Sequence, residues 1–360
     1  MPRLPRHVCI CSHVAHRAKV LLYWSWANAA YDLAAVGSQK LVWLNVDETC
    51  IAHGYAKCKG TVALASAWNG EVNQRLLHDA LPTAATHQNV GLIACVASDP
   101  DIQKLVPQVL VVKHTRFPQY LMDMADALLP DKVVLWNRDS IWTTQASFEE
   151  YLQELSDHLV DVMETHTFVI VVDSHRGHIN DRIALLAAAL GFILVMIPGG
   201  LTWLLQVLDV YVFAGLKRRI RERLQTQRVQ SHDGQVQKAT WFGIVLDEIG
   251  ELNQKDYSRE FRRVGLDGKQ DGVNDAALSI VSEAEITRNQ RSPPDPTNLA
   301  YCLGRVNVPF WKELMLPYMH YLDATREIDV ESQASRSWQR PRVRVQFESQ
   351  TAVSQGASQN

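Results

Sequence analysis

The stretch Phe168-Val169-Ile170-Val171-Val172-Asp173 decides the fold. Its five apolar residues, four of them β-branched, show no alternation, so the strand they form is buried on both faces. Residues 180–190 follow with a helical pattern that Gly191 closes. Residues 192–197, Phe-Ile-Leu-Val-Met-Ile, are again wholly apolar and read as a second buried strand. Strand, helix and strand in 30 residues predict an α/β protein, a mixed central sheet flanked by helices.

Working outward, residues 41–46 are a strand by composition and stop at Asp47, and residues 61–67, 90–97 and 109–112 read as further strands. Ser147 is the expected N-cap of a helix that sets Phe148, Tyr151, Leu152, Leu155 and Leu159 on one face. Asn28 is the expected cap of a helix over 29–36. Residues 202–223 read as one long helix that turns from apolar to basic, and 241–252 and 257–264 as two shorter ones. A loop at 291–296 and a last packed segment at 308–321 complete the ordered part. The expected organisation is an N-terminal segment at 1–39, a catalytic domain at 40–225, a smaller helical C-terminal region at 226–330 and a disordered Ser/Gln/Arg-rich tail at 331–360.

The 360 residues carry a formal net charge of −3, with 47% hydrophobic and 21% charged residues, which excludes wholesale disorder and a histone-like polycation. Six cysteines without a CxxC pair argue against a disulfide framework and for a reducing compartment. Cys9 and Cys11 lie among histidines, but the spacing is wrong for a structural zinc site. The apolar run at 183–197 is too short to span a bilayer and ends in Pro198-Gly199-Gly200, so the expectation is a soluble protein. No phosphate loop and no Gly-x-Ser-x-Gly elbow occur, which sets aside nucleotide hydrolysis and α/β-hydrolase chemistry.

Asp47 and Asp173 sit just past the ends of apolar strands, and Asp209 lies in the helix after the next strand. Functional side chains collect at the carboxyl ends of strands in such sheets. Three carboxylates gathered there repel one another unless cations neutralise them, and hard dications such as Mg²⁺ prefer carboxylate oxygen. Paired ions of this kind serve phosphodiester chemistry with water or a 3′-hydroxyl as nucleophile. Taken one at a time, each Asp is equally a turn or capping residue.

The wording around the three acids is more specific. Leu44-Asn45-Val46-Asp47-Glu48-Thr49, Val171-Val172-Asp173-Ser174-His175-Arg176-Gly177-His178, and the segment from Ile197-Pro198-Gly199-Gly200 through Thr202 to Gln206-Val207-Leu208-Asp209 occur in that order, with 35 residues between the last two acids. Together they resemble the three acidic motifs of the pogo/jerky branch of mariner-type DDE transposases, over roughly residues 40–225. The resemblance implies an RNase H-like fold and a DDD triad of Asp47, Asp173 and Asp209 that ligates divalent metal, Mg²⁺ or Mn²⁺, as two ions. It implies a supporting His178, which either orients a carboxylate or phosphate or makes a structural hydrogen bond at a helix start. It also implies that Gln206 supports the turn presenting Asp209. Glu48 is expected on the opposite face of the strand and outside the ligand set. Val207 stands where the family has Pro, which removes the ring's constraint on φ before the third acid. The residues before Asp47 are too few for the family's N-terminal helix-turn-helix region.

Lys217, Arg218, Arg219, Arg221 and Arg223 follow Asp209 on the same expected helix. They are candidate contacts to DNA phosphates, and equally a solvated helix end or a nuclear import signal. The sequence therefore points to a transposase-derived, metal-dependent DDE endonuclease that binds DNA. The alternative is a domesticated or truncated nucleic-acid-binding protein without catalysis. The nucleus is the expected location, or else the cytoplasm; no membrane is expected as partner, and the assembly to consider is a homodimer.

Overall fold

A computed structural model describes residues 10–36, 39–53, 89–175, 177–178, 180–231, 235–266, 273–281 and 314–315. The expected strand at 61–67, the loop at 291–296, nearly all of the segment at 308–321 and the tail lie outside them.

Six strands form one sheet: β1 (Lys40–Ala52), β2 (Asn89–Ala97), β3 (Gln108–Lys113), β4 (Val133–Arg138), β5 (His166–Asp173) and β6 (Phe192–Ile197), in the order β4-β3-β2-β1-β5-β6. β1, β2 and β3 are an antiparallel meander, β3 pairs parallel with β4, and β1, β5 and β6 run parallel to one another. Only β2 is reversed, so the carboxyl ends of the other five strands share one edge of the sheet. This is the mixed α/β sheet with flanking helices that the crossover pattern predicts. The run at 168–172 is its centre: Phe168 to Val172 are all buried, paired with β1 on one side and β6 on the other.

The helices are α1 (Ile10–Val36), α2 (Pro100–Gln103), α3 (Gln119–Leu128), α4 (Gln145–Leu159), α5 (Asp181–Ala189), α6 (Thr202–Leu205), α7 (Phe213–Gln230), α8 (Lys238–Gly250), α9 (Ser258–Arg263) and α10 (Asp275–Leu278). α4 buries the five apolar residues expected of it. Its cap, however, is Thr144: Ser147 occupies the third helical position and its Oγ accepts from the Thr144 amide, closing a capping box. α5 is capped by Asn180 and stopped by Gly191 at φ +83°, a conformation that side chains with a Cβ avoid.

Two helices differ from expectation. α1 begins eighteen residues before Asn28, which therefore lies inside the helix rather than capping it. Its Val20, Tyr23, Trp24, Trp26, Ala27, Ala29 and Ala30 are buried, on more than one face, so no single apolar stripe marks it in the sequence. The helix expected over 202–223 is broken: α6 ends at Leu205, Gln206 is extended, a π-helical turn occupies Leu208–Val212, and α7 follows.

α7 continues unbroken to Gln230, and α8 packs beside it in the core that contains the sheet. The short 3₁₀ turn Glu251–Gln254 is tied to the sheet by buried amides. Gln108 donates to the Asn253 side chain at 2.7 Å, Asn253 donates to Val106 O at 3.1 Å, and Gln103 donates to Leu252 O at 3.2 Å. Among the described residues no helix is long and apolar enough to cross a membrane.

Candidate active site

The parallel register of β1 and β5 pairs Leu44 with Ile170 and Asn45 with Val171. Carried two residues further, it sets Asp47 opposite Asp173 at the carboxyl edge of the parallel strands; β1 itself does not stop at Asp47 as expected but runs on to Ala52, paired there with β2. The third acid reaches the same edge from the π-helical turn after β6. Asn45 fixes that approach. Wholly buried, it donates from Nδ2 to Val171 O at 2.9 Å and accepts from the Leu208 amide on Oδ1 at 2.8 Å. One amide side chain thus joins the strand of the first acid, the strand of the second and the residue before the third.

The charges of Asp173 and Asp209 act on Asp47, and that of Asp173 acts on Asp209. Burial, then the charges of Asp209, Glu48 and Asp173, push the Asp47 carboxyl up to about 8. Asp209, an exposed residue, is raised by partial desolvation and by Asp173, with Lys217 acting in the opposite direction. Asp173 behaves differently. Burial would raise it, but hydrogen bonding and charge from His178, and the His175 amide, hold it below the ordinary carboxylate range.

His178 is wholly buried, with its ring 4.4 Å from that of Phe148 between centroids. Its Nδ1 lies 2.8 Å from Asp173 Oδ1, and its Nε2 lies 3.0 Å from Glu48 Oε1. Both acceptors are carboxylates, so both ring nitrogens donate and the ring is an imidazolium. Burial opposes that charge, but the bonds to Asp173 and Glu48 override it and raise the histidine to about 10. The His175 amide also donates to Asp173 Oδ1, at 3.0 Å, so both of these bonds fall on one carboxylate oxygen.

The sequence reading missed Glu48 as a participant. It supports the site by holding the histidine that holds Asp173. The signal available was the acid–acid pair at 47–48 together with His178 five residues after Asp173. Gln206 is wholly buried, and neither atom of its amide has a partner among the described residues. Val207 is buried at φ −56°, ψ −44°, so the backbone keeps a proline-like φ without the ring. Among the described residues, no three His, Cys, Asp or Glu side chains are already grouped to hold a metal ion.

The five basic residues divide. Arg219 Nε pairs with Glu248 Oε2 at 2.7 Å, and Arg223 pairs with Asp247 at 2.7 Å and Glu248 at 3.5 Å, so both reach across to α8. Arg218 lies 3.8 Å from Glu222 one turn on, and Arg221 Nε donates to Lys217 O at 2.9 Å. Lys217 Nζ stands 5.9 Å from the centre of the Phe213 ring. These three remain on α7.

Comparison with known proteins follows the same lines. Residues 90–257 match the family model of the DDE superfamily endonucleases, a span that holds Asp173 and Asp209 and begins after Asp47. No curated protein matches the chain. The solved Mos1 transposase paired-end complex with left transposon end is similar at a TM-score of 0.35 and 10% identity. The match covers 72% of this chain and spans 65% of that one. Over residues 90–257, a little under half of its length, this chain is similar to the DDE superfamily endonucleases.

Proposed function

We propose that the chain is a transposase-derived DDE endonuclease that binds DNA and cleaves or transfers its phosphodiester bonds with divalent metal. We read its topology, a three-stranded meander continued by two parallel strands, as RNase H-like. The observation that carries the reading is the mutual electrostatic contact of Asp47, Asp173 and Asp209 at one edge of the sheet. A carboxyl raised to about 8 by burial and then by its neighbours' charge is a donor that a dication relieves.

The donor set is all carboxylate, which suits Mg²⁺ or Mn²⁺, two ions by the family pattern, held by Asp47, Asp173 and Asp209. Bound metal supplies charge neutralisation and a lowered pKa for water or a 3′-hydroxyl. The chain's own residues do the rest. The His178 imidazolium pins one oxygen of Asp173 and keeps that carboxylate ionised. Asn45 holds the segment that delivers Asp209. Lys217, Arg218 and Arg221 offer charge to the DNA backbone, and Arg219 and Arg223 join them where phosphate displaces Glu248 and Asp247.

The test is nicking of supercoiled plasmid in Mg²⁺ or Mn²⁺. Cleavage abolished by Asp173→Ala supports the reading, and DNA binding without nicking in either metal overturns it. That second outcome is the alternative, a domesticated or truncated nucleic-acid-binding protein without catalysis. The basic run supports a nuclear location, and sedimentation decides whether the chain is a homodimer.

A further inference from the structure

A cavity of about 220 Å³ opens near the same edge of the sheet, on the β2–β4 side. It is bounded by Asn89 and Val90 of β2, Lys113 at the end of β3, Arg116 and Phe117 in the turn after it, the 139–142 loop and Trp241 of α8. Asn89 pairs with Ala52, five residues beyond Asp47 on β1, or about 17 Å along the strand. The cavity is thus separate from the carboxylates.

Four observations give it the character of a ligand site. Trp142 at its rim is 71% exposed, an indole face offered to solvent. Trp241 is wholly buried, and its Nε1–H has no acceptor among the described residues. Lys113 and Arg116 put positive charge in the wall, while the one acid there, Asp139, faces His114 at 3.1 Å. The loop is also seated firmly on β2: a Cβ on Gly91 would lie 2.3 Å from Ile141 O, so glycine is what lets the loop backbone close down there. The volume is below the roughly 300–1,000 Å³ of sites for drug-sized ligands, and suits one flat ring system.

A flat heterocycle bearing hydrogen-bond acceptors and attached to an anion is a nucleotide. A paired base cannot enter, because its partner and its stacked neighbours come with it. We propose that the cavity receives a single unpaired nucleobase of the DNA that the carboxylates act on, a step that rests on the function proposed above. The base stacks on Trp142, a ring carbonyl or ring nitrogen accepts from Trp241 Nε1, and Lys113 and Arg116 meet the flanking phosphates. Base–aromatic stacking of this kind corresponds to about a 5- to 150-fold change in affinity.

Fluorescence anisotropy with the full chain in EDTA, where no cleavage occurs, compares a short duplex with the same duplex carrying one unpaired thymidine. The expected result is binding of the bulged duplex tighter by about 5- to 150-fold. Trp142→Ala should erase that preference while leaving affinity for the plain duplex unchanged. Trp142→Phe should keep part of it, and Trp241→Phe, which retains the ring but loses the N–H, should weaken it. Equal affinity for the two duplexes overturns the cavity's role and leaves the endonuclease reading standing. So does a preference that survives Trp142→Ala. Failure to bind either duplex overturns both.

Discussion

Asn45→Ala probes the link between fold and site most directly. The side chain is wholly buried and makes two hydrogen bonds to main chain, from Nδ2 to Val171 O and to Oδ1 from the Leu208 amide. Truncation orphans a carbonyl in the central strand and an amide in the segment bearing the third acid. Each buried group left unpaired costs about 1–3 kcal/mol. Water admitted to the vacated space recovers part of this, so the expected loss is about 2–4 kcal/mol. The assay is urea unfolding followed by tryptophan fluorescence, with the midpoint read at unchanged slope. Amide exchange at Leu208 reports the same event locally. Asn45→Asp separates the two bonds: it still accepts from Leu208 but cannot donate to Val171 O, and it adds a charge two residues from Asp47. It should therefore lose more stability at pH 8 than at pH 5. A loss below about 0.5 kcal/mol for Asn45→Ala, with Leu208 exchange unchanged, would falsify the clamp.

Three further outcomes follow from the geometry. Val207→Pro meets a backbone already at φ −56°, preceded by Gln206 at φ −95°, ψ 111°, so it should stabilise by about 0.4–1 kcal/mol through the unfolded chain; a lowered melting temperature would refute the proline-like reading. Asp47 has a raised pKa, so its contribution to stability is present at low pH and is lost as pH climbs from about 4 towards about 8; Asp47→Asn should flatten that decline, and an unchanged stability–pH curve would count against the proposed crowding of charge. Glu248→Gln should release Arg219, while Asp247 keeps Arg223, strengthening DNA binding and steepening its salt dependence by about 1 in log–log slope; an unaltered slope would mean that Arg219 does not meet phosphate.

The legible parts of this molecule were those fixed by local sequence. The buried run at 168–172, the helix closed by Gly191 and the next apolar run each carry their signal in consecutive residues, and together they determine three adjacent strands once β1 is added. Asp47 and Asp173 were visible because both end such runs. The rest depends on contacts that no single segment contains. β4 is an exception: its apolar run Val133-Val134-Leu135-Trp136 was as legible as the one at 109–112 and was passed over. Glu48 and Asn45 act through residues more than a hundred positions away. Arg219 and Arg223 look like the rest of the basic run until α8 brings Glu248 and Asp247 alongside. The single helix expected over 202–223 is broken at Gln206, a residue whose own type gives no warning of it.

The π-helical turn at Leu208–Val212 has a geometric consequence. On a straight α-helix, at about 100° per residue, Asp209 would point the same way as Leu216, Ile220 and Leu224, the stripe that α7 buries. The wider turn inserts one residue's worth of rotation, about 100°, between the acid and that stripe. An exposed carboxylate and an apolar seam can then share one continuous stretch of chain without competing for the same side of it. Straightening the turn into ordinary α-helix with every residue kept would swing Asp209 onto that seam, and would force the chain to choose between its third acid and its core.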